Sequence, residues 1–128
     1  MKLWRNLKPI FTDDRGDIFI LLDDGSTNIK STLLITCKKG AIRANHYHKE
    51  DSHYTYMLSG KMEYTEQPVE ANVSKRETAT LAPGDMVYSA PMMMHAMRFL
   101  EDSTFIALAT KSRKDGAYEQ DTVRVKLI

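Results

Sequence analysis

The sequence predicts an all-β domain, a small antiparallel barrel or jelly roll, on three observations. No stretch carries a helical hydrophobic period over helix length. β-branched, aromatic and aliphatic residues gather instead in short runs. Turn residues separate those runs at intervals of roughly eight to twelve residues, the rhythm of sandwiches and barrels. The 128 residues fit one domain, 1–128, since ordinary domains run roughly 100 to 200 residues. Hydrophobic residues at 42% are enough to fill one core.

The elements follow in order. Ile18–Leu22 reads as a strand closed by Asp23-Asp24-Gly25-Ser26. Thr32–Cys37 is a second, closed by Lys38-Lys39-Gly40. Ala41–His48, Tyr54–Leu58 and Lys61–Thr65 come next, with Ser59-Gly60 as a tight turn between the last two. Val69–Ser74 and Thr78–Leu81 precede the turn Ala82-Pro83-Gly84-Asp85. Met86–Ser89, His95–Leu100, Thr104–Thr110 and Thr122–Leu127 complete the strands. Lys111–Gly116 is read as a polar, solvated loop.

Composition narrows the function. With 18 Lys+Arg against 17 Asp+Glu the net charge is +1, without the basic excess of a nucleic-acid binder. Apolar runs such as Ile18–Leu22 are far below the roughly 18 residues of a membrane span. The opening residues are too polar for a signal peptide. The single cysteine, Cys37, has no internal partner, which points to a reducing, cytoplasmic setting.

Chemistry concentrates in the four histidines, His46, His48, His53 and His95. His46 and His48 alternate along a strand, so both face one side and can reach one metal ion. His53 follows the polar turn Lys49–Ser52, and an adjacent antiparallel strand starting there aims it at the same point. His95 follows Ala90-Pro91 and arrives from across the barrel. Arg43 alternates onto the face opposite His46, so it reaches the same pocket only through a bulge or a neighbouring subunit.

The frame around these histidines resembles the two motifs of the cupin superfamily. Gly40, five residues, His46-x-His48, four residues, His53, six residues, Gly60 matches the first motif, with His53 where cupins usually place Glu. Gly84-Asp85 and His95 match the second, with Met92 in place of the usual glycine and Ala90 in place of a proline. The resemblance implies a cupin barrel, a double-stranded β-helix. It also implies His46, His48, His53 and His95 as ligands of a divalent transition metal (Zn, Ni, Fe, Cu or Mn), since imidazole suits such ions.

A finer resemblance points to cupins that act on nucleotide-linked keto-sugars. Asp14-Arg15-Gly16-Asp17 is similar to the Asp-Arg-Gly stretch of the dTDP-4-keto-6-deoxy-sugar epimerases and ketoisomerases. Arg43-Ala44-Asn45-His46 is similar to their Arg-Gly-x-His block, with Ala44 for glycine. Tyr118–Asp121 is similar to their C-terminal Tyr-x-x-x-Asp region. That likeness implies His46 as the catalytic base and Arg15 and Arg43 as diphosphate contacts. Met92, Met94 and Met97, around His95, are read as an apolar substrate wall. The expected activity is isomerisation or epimerisation of a small sugar or nucleotide-sugar. The alternatives are a metal-dependent dioxygenase and a non-catalytic binding module. An exposed barrel edge and the segment Leu3–Phe11 favour a homodimer.

Overall fold

The structure, a computed structural model, describes residues 1–128. It contains β1 (Lys2–Trp4), β2 (Phe11–Asp13), β3 (Gly16–Ile18), β4 (Ser31–Cys37), β5 (Ile42–His48) and β6 (His53–Ser59). β7 (Met62–Pro68), β8 (Glu77–Leu81), β9 (Met86–Ser89), β10 (Met93–Phe99), β11 (Ser103–Ala109) and β12 (Thr122–Arg124) follow. The one α-helix, α1 (Ala117–Asp121), is five residues long. Single 3-10 turns occupy Val73–Lys75 and Lys114–Gly116.

Two five-stranded antiparallel sheets make a jelly roll. One has the order β1-β9-β6-β11-β4, the other β12-β5-β10-β7-β8, and β2–β3 form a separate hairpin. Alternation explains how the sheets close on each other. On β11, Ser103, Phe105, Ala107 and Ala109 are buried while Thr104, Ile106 and Leu108 are half-exposed. The inward residues then divide the interior by polarity. One end is apolar, built from Met57, Met62, Tyr64, Leu81, Val87 and Phe99, all fully buried. The near-parallel rings of Phe99 and Phe105 lie 5.8 Å apart there. Burying one such side chain contributes roughly 1.5–3 kcal/mol. The other end holds the histidines.

Several expected elements differ. The apolar run Ile18–Leu22 is not one strand: β3 ends at Ile18, and Phe19 and Ile20 are exposed. Hydrophobic residues alone do not make a ladder, and this run pairs only through the outer hairpin. Val69–Ser74 is no strand either. Asn72 caps a 3-10 turn there, its side chain accepting the Ser74 amide at 3.0 Å. β12 stops at Arg124: past it the chain is tied to the bulge residue, the Val125 amide donating to the Asn45 carbonyl and the Asn45 Oδ1 accepting the amides of Leu127 and Ile128.

Candidate active site

The strands bring the four histidines together by a route that strand order along the chain does not reveal. His95 is the direct antiparallel partner of His46, on the neighbouring strand of the same sheet. His53 comes from the opposite sheet, on β6. The expected placements of His53 and His95 are thus exchanged. The connection 49–52 crosses between sheets instead of turning a hairpin, because Asp121 holds it: its carboxylate accepts the amides of Glu50 (3.0 Å) and Asp51 (2.9 Å). Ring centroids are 4.6 Å apart for His46 and His48, 4.7 Å for His46 and His95, and 4.7 Å for His48 and His53. One nitrogen from each of His46, His48 and His95 lies within 4.8 Å of the others. His53 groups instead with His48 and Asp51.

A bulge in β5 sets which side chains face the cavity. Ala44 and Asn45 both have positive φ, 65° and 54°, and the register against β10 skips one residue, so Ala96 faces Ala44 while His95 faces His46. The extra residue shifts the alternation by one. Arg43, opposite the inward Met97, therefore faces the same cavity as His46 without help from another subunit. Asparagine tolerates the left-handed conformation, and Asn45 also ties down the C-terminal segment.

Hydrogen bonds assign a proton to each ring. The His95 Nδ1–H donates to the Met93 carbonyl at 3.1 Å, leaving its Nε2 as the lone pair. Thr122 gives its only hydroxyl proton to the Tyr118 carbonyl, so the His48 Nδ1–H donates to Thr122 Oγ1 at 3.2 Å. The His48 Nε2 is then a lone pair, buried and without a partner. His53 donates from Nε2 to Asp51 Oδ2 at 2.8 Å, which keeps its lone pair on Nδ1. Asp51 is buried and also accepts from the Thr110 hydroxyl and the Lys111 amide. His46 is the opposite case: its Nδ1 faces the Arg124 guanidinium at 3.2 Å. A guanidinium only donates, so Nδ1 is the acceptor and Nε2 carries the proton.

All three rings of the triad are neutral well below physiological pH. Burial, then the neighbouring charges of His95, His48 and Arg124, lowers the His46 pKa to about 2. Burial, then the charge of His53, lowers that of His48 to about 4. Burial, which outweighs the Met93 hydrogen bond, lowers that of His95 to about 3. Burial alone would raise the Asp51 pKa, but the bonds from His53 and Thr110 hold it below the ordinary carboxylate value.

A cavity of about 680 Å³ opens over this cluster. His46, His53, His95, Thr55, Tyr118 and three arginines, Arg43, Arg113 and Arg124, contribute to its wall. Met97 also lines it, but Met92 and Met94 do not. Leu33, Leu34, Ile35 and Phe105, from the sheet that carries His53, form the wall facing His46 and His95. Met92 is 42% exposed in the turn before β10, at φ 59°. Arg15 is also outside: it sits on the outer hairpin, paired with Asp13 at 2.6 Å and 82% exposed. Arg113, from the loop expected to be plain surface, stacks its guanidinium 4.0 Å from the Tyr118 ring centre. Asp51, Arg113 and Arg124 were not legible as site residues. Only Asp51 left a local signal, its two-residue spacing from His53.

With this geometry in place, comparison with known proteins gives a family. The cupin family profile (Cupin) matches residues 25–126. The chain belongs to the cupin family. No curated protein matches the sequence. Among solved structures it is similar to the 3,4-ketoisomerase QdtA from Thermoanaerobacterium thermosaccharolyticum, a double mutant in complex with TDP, at 24% identity and TM-score 0.73, covering 95% of this chain and 85% of that one. A 3,4-ketoisomerase from Helicobacter canadensis matches at 21% identity and TM-score 0.75, covering 96% and 89%. The rmlC epimerase of Mycobacterium tuberculosis matches at 18% identity and TM-score 0.76, covering 95% and 68%.

Cupin membership raises the question of a metal. His48 and His95 fit one, each with Nδ1–H anchored and Nε2 free, the arrangement that orients imidazole ligands. His46 does not fit, because its single lone pair faces Arg124. His53 is bonded to Asp51 and does not join the triad. The four rings do not form one donor set.

Proposed function

We infer that the protein is a sugar isomerase or epimerase that moves a proton next to a ketone on a nucleotide-linked sugar. One observation carries this reading: a carboxylate-backed histidine, His53–Asp51, shares a cavity with a neutral, proton-bearing His46 beneath three arginines. The resemblance of the fold to the ketoisomerases and the epimerase supports it.

The base role, given to His46 on sequence, passes to His53 in this reading. His53 Nδ1 takes the proton from the carbon beside the ketone. The C–H electron pair becomes the new C=C bond, and the carbonyl π pair moves onto oxygen. The His46 Nε2–H and the Tyr118 hydroxyl are the donors available to that oxygen, and preorganised donors aimed at developing charge stabilise it. Proton delivery to the opposite face of the same carbon, from a donor on that side which the His53 imidazolium recharges through solvent, inverts it. Proton delivery from the His53 imidazolium to the former carbonyl carbon, while the adjacent hydroxyl passes its proton to the enolate oxygen, moves the ketone. Asp51 holds the His53 tautomer and balances the imidazolium. Arg43, braced by Cys37 Sγ and the Thr36 carbonyl, faces the anionic part of the substrate with Arg113 and Arg124. Thr55 Oγ1 is buried, unpartnered and in the cavity wall, which suits a sugar hydroxyl.

The test combines binding and exchange. TDP and TDP-4-keto-6-deoxyglucose should both raise the melting temperature, and the keto-sugar should exchange a ring proton with deuterated solvent. Asp51→Asn and His53→Asn should slow that exchange by about 10²–10⁴-fold, the usual worth of a general base. Arg43→Met should weaken TDP binding by about 1.5–3 kcal/mol, the scale of a charged hydrogen bond. Tight binding without exchange would make this a binding module, and absence of any nucleotide effect would remove the substrate class.

A further inference from the structure

We propose that Arg124 sets the tautomer of His46 and thereby keeps the histidine triad from acting as a metal centre. Arg124 and His46 are direct partners in the β12–β5 ladder, so the contact is built into the register. The register is itself held: Asn45 Oδ1 accepts the amides of Leu127 and Ile128, and the Val125 amide donates to the Asn45 carbonyl. Arg124 Nη1 lies 3.2 Å from His46 Nδ1.

A neutral imidazole has one lone pair in its plane. Arg124 takes it, and the remaining nitrogen carries a proton. Whichever nitrogen of His46 faces His48 and His95, it has nothing to give a cation. A permanent positive charge in the cavity wall adds a Coulomb cost for any divalent ion nearby. His48 and His95, by contrast, donate their Nδ1 protons to Thr122 and the Met93 carbonyl, as metal-binding imidazoles do. One residue therefore separates a triad of near-ligand geometry from a working site. Within the reaction proposed above, and resting on that reading, the same proton serves as the donor to the enolate oxygen. Its position on the ring does not depend on which substrate the cavity accepts.

The experiment needs no substrate. Imidazole nitrogen NMR of the ¹⁵N-histidine-labelled protein should show His46 as the Nε2–H tautomer and His48 and His95 as Nδ1–H. Titration with Co²⁺ or Zn²⁺, read by cobalt absorption and by calorimetry, should give weak binding for the wild type. Arg124→Met removes the donor and keeps the stem. It should move His46 toward Nδ1–H and tighten metal binding at least about tenfold, a step of 1.4 kcal/mol. Lys126→Met, which removes a nearby exposed cation that does not touch His46, should behave as the wild type in both readouts. The proposal is overturned if wild-type His46 is Nδ1–H, or if wild type and Arg124→Met bind cobalt equally. It is also overturned if Lys126→Met tightens binding as much as Arg124→Met, which would make net charge the cause. Loss of nucleotide-sugar exchange with these results intact would count only against the proposed reaction.

Discussion

The protein should lose stability steeply between pH 6.5 and pH 4.5. His46, His48 and His95 titrate at about 2, about 4 and about 3 in the folded state, all below the ordinary histidine value. Unfolded, each binds a proton near pH 6.5. Below that pH the unfolded chain holds more protons than the native one, so stability falls as pH falls. The stability is fully present above the unfolded pKa and is lost on the way down to the folded values. Each ring costs about 2 kcal/mol by pH 5, and three cost about 4–6 kcal/mol after allowing for screening at the cavity mouth. That is comparable to the lower end of a typical domain's stability of about 5–15 kcal/mol. Urea unfolding at pH 8, 6 and 5 checks it, and a stability unchanged from pH 8 to pH 5 would refute it.

The second large effect falls on a motif glycine. Gly60 turns β6 into β7 at φ 85°, and an added Cβ would lie 2.1 Å from Ser103 Oγ and 2.5 Å from the Asp102 carbonyl. The carbonyl is backbone and cannot swing aside. Gly60→Ala therefore combines left-handed strain with overpacking, about 3 kcal/mol or more in total. Gly40, at the other end of the same motif, has the same φ of 85° and nothing within 4 Å of its missing Cβ. Gly40→Ala should cost only the strain, about 1–2 kcal/mol. Thermal or urea denaturation of the two variants separates these cases, and equal losses would mean that the contact with residues 102–103 does not matter.

The contrast shows what was readable in advance. Turn residues and alternation located β9 at Met86–Ser89 and β11 to within a residue, because those patterns are local. The spacing of the four histidines identified the family for the same reason. Which sheet each strand joins is not local. His53 and His95 changed places because the Asp121 carboxylate, some seventy residues downstream, holds the loop between β5 and β6. The ring that sequence made the base turns its Nδ1 to Arg124, a neighbour 78 positions away that no local pattern could announce. Arg15 looked like a substrate contact from its motif, yet its hairpin pairs with neither main sheet. Short β1 and β2 escaped notice because three residues do not establish an alternation.

The β5 bulge makes the polarity of the cavity mouth depend on backbone phase at a single point. Deleting Asn45 would remove the extra residue and leave Arg43 opposite the inward Met97, whereas a regular strand that kept Asn45 would bring Ala44 opposite Met97 and carry Arg43 to the outer face beside Arg98. The mouth would then exchange a fixed cation for a methyl group with no substitution of either residue. A one-residue frame step in the backbone, rather than any change of side chain, decides whether this pocket greets an anion or an oil.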